Sequence, residues 1–269
     1  MTNRSVLYEL RVDLNTKEWG IACPLDQSLI GPVQYGWDRY KKDPNSMTLG
    51  GGLLAGSPLA GTRRMVVCGY SPQWEGFYIS ALGGAMHVMH RTGVNYICLQ
   101  GRLSKVSVMI FSYLDGVYSV RFEPINPGKY WKGYIDSDNI EWEGYYGLNH
   151  FLFEKFQTSF PDDYWRILTV GPGAKKTNFG AIGSAQVKGG KLSEIDDWAG
   201  RGGMGSRLLQ YHRVAAIIIG GDWQDPALKE AKELDRYFLD HFGQTALKVD
   251  LALSEKYRYV PKFNTGGTF

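Results

Sequence analysis

The sequence predicts an α+β fold that is mostly β, with a short helical extension at its C-terminal end. Three observations lead there. At least seven short runs read as strands. Two of them, Val106–Tyr113 and Val117–Phe122, alternate with period two around Leu114-Asp115-Gly116, which is a hairpin signature. The composition, with 34 glycines and 14% aromatic residues, suits short strands joined by many turns.

Taken in order, Val6–Leu14 alternates as a strand, and Asn15-Thr16-Lys17-Glu18 forms its turn. From Gly31 to Gly56 the chain is rich in Gly, Pro and Asp without a sustained period and reads as a long loop ending in Leu49-Gly50-Gly51-Gly52. Arg64–Gly69 is a short strand closed by Ser71-Pro72. Gly83–Arg91 reads as a short helix opened by a glycine pair, with Gly93 placed just past its end. His87 and His90 stand i, i+3 on that helix, and with no third ligand nearby they read as ordinary helix residues ahead of a metal pair. Asn95–Gln100 is a buried-looking strand.

Pro124–Tyr146 is an aromatic and glycine-rich excursion, and Leu148–Phe156 can form a helix. Arg166–Val170 is a strand, Gly171-Pro172-Gly173 a tight turn, and Asn178–Gly183 a further strand. Trp198-Ala199-Gly200-Arg201-Gly202-Gly203-Met204-Gly205 then places four glycines within six positions around one arginine, and leads on to the apolar run Val214–Ile219. So bare a backbone can approach a ligand closely, and a guanidinium fork suits phosphate or carboxylate oxygens; the same pattern also describes a surface loop with one solvated arginine. Asp225-Pro226 starts a helix whose apolar face is Leu228, Ala231, Leu234, Phe238 and Phe242, and Gly243 stops it. A domain boundary is expected near Gly220-Gly221, giving 1–220 and a helix-and-tail segment 221–269.

The formal charge of +3 is too small, and its lysines too scattered, to argue for nucleic acid. The best apolar run is far short of the ~20 residues that cross a bilayer, so no membrane partner is expected. With no signal-peptide core after Met1, the expected location is cytoplasmic. Three isolated cysteines (Cys23, Cys68, Cys98) are not a disulfide framework and cannot supply the four thiolates of an iron–sulfur cluster.

Several of these segments, in order, resemble the N-terminal domain of the tungsten-containing aldehyde ferredoxin oxidoreductases. They are Leu10-Arg11-Val12-Asp13-Leu14; Ser57-Pro58-Leu59-Ala60-Gly61-Thr62-Arg63-Arg64 with the strand to Ser71-Pro72; Gly83-Gly84; Gly93; Gly101; Gly171-Pro172-Gly173; and Ala199 to Gly205. The tail Pro261-Lys262-Phe263-Asn264 is similar to the start of the family's second domain. The resemblance implies a two-sheet base with a saddle for a bis-pyranopterin tungsten cofactor, held by arginines and backbone amides. Aldehyde-binding groups and cluster cysteines come from later domains in that family. Carried over position by position, Arg64, Gly83, Gly84, Gly200, Arg201, Gly202 and Gly203 match the cofactor-cradling residues.

This sequence departs from the family pattern twice. Ala81 stands where the family has an asparagine that helps hold magnesium between the pterin phosphates, and alanine offers no oxygen. Asp197-Trp198 replaces Arg-Ala, putting a carboxylate where a phosphate-binding cation is expected, a contact unfavourable by about 1 kcal/mol or more. Three readings follow: a cofactor-binding subunit working with a separate catalytic, iron–sulfur chain; a stand-alone pterin-cofactor carrier; and a cofactor-free structural or interaction subunit. A homo-oligomer or a separate catalytic partner is expected, the more so because the tail Val249–Phe269 is rich in apolar and aromatic side chains.

Overall fold

The computed structural model describes residues 7–23, 28–29, 31–57, 59, 61–160, 163, 165–224 and 231–245. Two six-stranded sheets face each other across the main core, an α+β arrangement dominated by strands. The first is built from β1 (Glu9–Asp13), β2 (Glu18–Ala22), β3 (Met47–Gly50), β4 (Met65–Ser71), β5 (Gly76–Leu82) and β6 (Tyr96–Gln100), in the order β2-β1-β6-β3-β4-β5. Its β1–β6 pair is parallel and the remainder antiparallel.

The second sheet takes β7 (Ser107–Leu114), β8 (Val117–Pro124), β11 (Trp165–Val170), β12 (Ile182–Lys188), β13 (Lys191–Ala199) and β14 (Val214–Gly221). Its order is β13-β12-β11-β14-β7-β8, with β14 and β7 parallel. A separate two-stranded ribbon pairs β9 (Tyr134–Ile135) with β10 (Glu141–Trp142). The hairpin expected around Asp115-Gly116 is β7–β8, with Leu114 opposite Val117 and both turn residues at positive φ.

Alternation along the strands decides which side chains meet. In β1, Leu10 and Val12 enter the core between the sheets, while Glu9 points to the other face. There α1 (Pro32–Lys42) covers the first sheet. Fully buried Glu9 accepts from Tyr35 Oη and pairs with Arg39 at 3.0 Å and with Arg11. Helix α2 (Ala85–His90) lies over β14 and β11 of the second sheet, and α3 (Pro127–Trp131) and α4 (Gly144–Phe156) cover that sheet's opposite face.

The structure corrects three expectations. The stretch from Gly31 to Gly56 is not one loop: it holds α1 and β3. Pro32 at the first helical position pre-sets that helix, and its packing is on the sheet, with Gly36 lying so close to Cys68 of β4 that an added Cβ would be 2.5 Å from the Cys68 Cβ. The strand expected at Asn178–Gly183 begins at Ile182 and runs to Lys188, because Gly180 is taken up by loop bonds to Ser206 and Gly205. Gly171-Pro172-Gly173 turns as expected, closed by the Ala174 N–H on the Gly171 carbonyl at 3.1 Å, and continues into one helical turn, α5 (Gly173–Lys176). The helix expected from Leu148 starts at Gly144.

Strands β5 and β13 were not expected from the sequence pattern. The C-terminal helix α7 is described over Ala231–Phe242, and Gly243 closes it at positive φ. Its expected start at Asp225-Pro226, with Leu228, lies outside the described residues, as does the tail Val249–Phe269 with Pro261–Asn264.

Candidate functional site

Edge strand β5 of the first sheet lies against edge strand β13 of the second, and the glycine-bearing segments converge on that seam. At one end, β5 runs out through Leu82 into Gly83-Gly84, which opens α2; Gly84 takes the left-handed conformation, φ +64°. Arg64 stands exposed just before Met65, whose cross-strand partner is Leu82, so register sets it beside the same end.

The space above the glycine pair belongs to two side chains of the second sheet. A Cβ on Gly83 would lie 2.3 Å from Asp197 Oδ1, and one on Gly84 2.7 Å from Arg166 Nη1. Arg166, only 4% exposed, donates from Nε to Ser184 Oγ at 2.6 Å and from Nη2 to Asp197 Oδ2 at 3.3 Å. The three residues sit on adjacent strands of one sheet face: Ser184 opposes Leu168 on one side and Asp197 on the other. The Asp197 carboxylate is therefore offset by a buried guanidinium.

His87 of α2 lies within the field of Arg63, Arg91 and Arg166. Burial first, and these three cations second, hold its pKa below the ordinary histidine value. The surroundings are net cationic, as an anion cradle requires. His90 turns away and packs edge-on against Trp223, with ring centres 5.4 Å apart. Among the described residues no three His, Cys, Asp or Glu side chains converge as a metal-ligand group.

At the other end of the seam, β13 ends at Ala199 and the chain passes through Gly200-Arg201-Gly202-Gly203 into α6 (Met204–Ser206) and a π-helical turn over Arg207–Tyr211. Gly203 must be glycine: φ is +65°, and a Cβ would sit 2.0 Å from the carbonyl oxygen of Asn178. Gly202 packs under Tyr78, and its carbonyl accepts from Ser71 Oγ at 2.7 Å, tying the loop to β4. Gly200 is different, because nothing lies within 4 Å of its Cβ direction. Gly200, exposed Arg201 and Gly202 line a cleft of about 310 Å³ whose other walls include Trp74, Tyr78 and Phe179. Trp74 and Tyr78 stack nearly parallel, 6.1 Å apart and 5° between planes. Flat aromatic walls beside an arginine suit a planar heterocycle carrying an anionic group.

Of the residues expected from sequence, Gly83 and Gly84 meet at Asp197–Arg166, and Gly200, Arg201 and Gly202 meet at the aromatic cleft. Gly203 contributes backbone geometry alone. Sequence reasoning missed Arg166, Ser184, Trp74, Tyr78 and Phe179. A signal for Arg166 was available: one arginine inside the apolar run Trp165-Arg166-Ile167-Leu168 calls for a polar partner on a neighbouring strand.

A family model described as aldehyde ferredoxin oxidoreductase, N-terminal domain, matches residues 9–221. A glyceraldehyde-3-phosphate:ferredoxin oxidoreductase of Pyrococcus furiosus is 35% identical over 243 residues, 86% of this chain and 36% of that protein. An uncharacterized protein of Methanocaldococcus jannaschii, MJ1185, is 32% identical over 235 residues, 87% of this chain and 34% of its own length. The chain thus spans about a third of the length of these curated relatives. Among solved structures, the active-site complex BamBC of benzoyl coenzyme A reductase, in complex with 1,5-dienoyl-CoA, shares the fold. Its TM-score is 0.65 at 15% identity, covering 94% of this chain and 35% of that one.

Proposed function

From the premise that the chain belongs to the aldehyde ferredoxin oxidoreductase family through its N-terminal domain, we propose that it is the base on which a bis-pyranopterin tungsten or molybdenum cofactor lies. Catalytic and iron–sulfur parts would then come from further polypeptide. The observation that supports this reading is the seam between β5 and β13, where Arg201, open backbone at Gly200 and stacked aromatic rings line one cleft.

In this reading Arg201 and Arg64 bind phosphate oxygens, the Gly200–Gly202 backbone and the Trp74–Tyr78 wall receive a pterin ring, and the Arg166 guanidinium compensates the charge of the Asp197 carboxylate it pairs with. The bound group would supply the two-electron redox chemistry of aldehyde oxidation. This chain's own residues bind it, orient it and keep water from one of its faces.

A second reading, a cofactor-free structural subunit, draws on Ala81 and on the Asp197–Arg166 pair that fills the space over Gly83 and Gly84. Pterin extraction and metal analysis on chain purified from its native host separate the two. Fluorescent oxidised pterin accompanying tungsten or molybdenum supports the first reading. Pterin-free protein, also after co-expression with a pterin-cofactor pathway, supports the second.

A further inference from the structure

On the face of the second sheet opposite the seam lies a cavity of about 250 Å³, enclosed by α4, β10 and the β12–β13 hairpin. Strand alternation separates it from the cofactor face: Arg166, Ser184 and Asp197 point one way, whereas Thr169, Ala185 and Trp198 point the other. Tyr146, Asn149 and His150 line it at the i, i+3 and i+4 spacing of one face of α4, Trp142 reaches it from β10, and Ala185, Leu192 and Ser193 close it from the sheet.

The polar groups here are fixed in place. Asp136 Oδ1 accepts backbone N–H groups of Asp138 and Ile140 at 3.0 and 2.9 Å. Its Oδ2 accepts from Trp142 Nε1 at 2.6 Å and lies 3.5 Å from His150 Nδ1. One carboxylate thus orients both rings, which stack 3.9 Å apart and 12° from parallel. Burial holds the His150 pKa below its ordinary value against the pull of Asp136 and Glu154, so the imidazole is neutral at pH 7. In the tautomer that keeps its proton on Nδ1, toward Asp136 Oδ2 at 3.5 Å, Nε2 is the acceptor.

Asn149 is 2% exposed, and its Oδ1 is used by Thr169 Oγ1 at 2.6 Å. Its amide nitrogen has no partner among the described residues, yet it is not sealed from the cavity. A buried amide donor thus stands next to an imidazole acceptor on consecutive residues of one helix, inside an aromatic and aliphatic box.

We propose that this cavity is a second ligand site, taking a neutral, planar nitrogen heterocycle with a hydrogen-bond acceptor and donor adjacent along one edge. A pterin or a guanine-type base has that edge. The size suits one or two rings, and among the described residues no cation lines the cavity to receive a phosphate.

The test is calorimetric titration of the full chain with pterin and, separately, with guanosine. The background is Arg201→Ala, which weakens the seam, and the cavity variants are compared within that background. Saturable binding of either below about 1 mM is expected, and Leu192→Trp, which fills the cavity, and His150→Phe, which keeps a ring on Trp142 but removes the acceptor, should each weaken it at least about tenfold. Melting temperatures of both variants establish that they fold. Binding of pterin alone assigns the source as a pterin, and binding of guanosine alone or of both assigns it to nucleobase-type edges generally. Saturation by neither compound, or binding that both folded variants leave unchanged, overturns the proposal.

Discussion

Two alanine substitutions three residues apart in one loop separate backbone geometry from ligand contact. Gly203→Ala forces a side chain into the left-handed region at φ +65°, and its Cβ meets the Asn178 carbonyl oxygen at 2.0 Å. The strain is about 1–2 kcal/mol. The clash is with backbone, which no rotamer change relieves, so overpacking adds about 1–3 kcal/mol. The total of about 2–5 kcal/mol lowers Tm by roughly 5–15 °C for a chain of this size. Gly200→Ala adds a methyl where nothing lies within 4 Å, at a residue lining the cleft with Arg201. Its stability should change by less than about 0.5 kcal/mol, while pterin retention falls about tenfold, the worth of roughly 1.4 kcal/mol. Differential scanning calorimetry on cofactor-free protein, paired with pterin extraction from cofactor-loaded protein, reads both. Equal melting losses in the two variants would refute the loop geometry, and full retention by Gly200→Ala would remove the cleft as the site.

Three further outcomes follow from the same geometry. Arg201→Ala, at an exposed residue, should leave Tm unchanged and weaken pterin retention by about ten- to a hundredfold, the loss of one charge-assisted bond of about 1.5–3 kcal/mol. Asp197→Asn should cost less than about 1 kcal/mol of stability, because its pair with Arg166 is partly exposed to water, and should raise retention severalfold; Asp197→Arg should instead lower Tm by crowding a second guanidinium against buried Arg166. Acid should destabilise the fold below pH 6.5. His212 is fully buried with Nδ1 on the Gly101 carbonyl, and burial pushes its pKa down to about 3. Between those values the unfolded chain binds a proton the folded chain refuses, so stability is intact above pH 6.5 and falls by about 1.4 kcal/mol per pH unit below it. Denaturant titrations from pH 7 to 4 should show that slope, and His212→Asn should flatten it by close to one proton.

The strands with regular alternation or unbroken apolar runs were legible in the sequence: β1, β6, the β7–β8 hairpin, β11 and β14 each have a local pattern. Helix α1 was not, since it lies in a segment rich in Gly, Pro and Asp with Tyr35 and Gly36 as its buried residues, and it is stabilised by what it lies on. Strand β5 was hidden because its exposed edge mixes Tyr78 and Ile79 with small residues, and β13 because Glu194, Asp196 and Asp197 interrupt any apolar alternation. Those two strands make the seam, so the site's parts were visible while their meeting place was not. Asp197 shows the consequence. As a lone carboxylate in a sequence it argues against a phosphate ligand, but a buried arginine thirty-one positions earlier shares its charge.

The central claim, that the seam between β5 and β13 carries the metal–pterin group, is tested most directly by anomalous diffraction. Crystals of the chain, with whatever partners co-purify from the native host, would be measured on either side of the tungsten and molybdenum absorption edges. The account predicts a single metal peak beside the seam, on the side of Arg201, Trp74 and Tyr78, and its loss in Arg201→Ala crystals. A metal peak elsewhere on the chain, or no peak in protein that carries its full complement of partners, would contradict it.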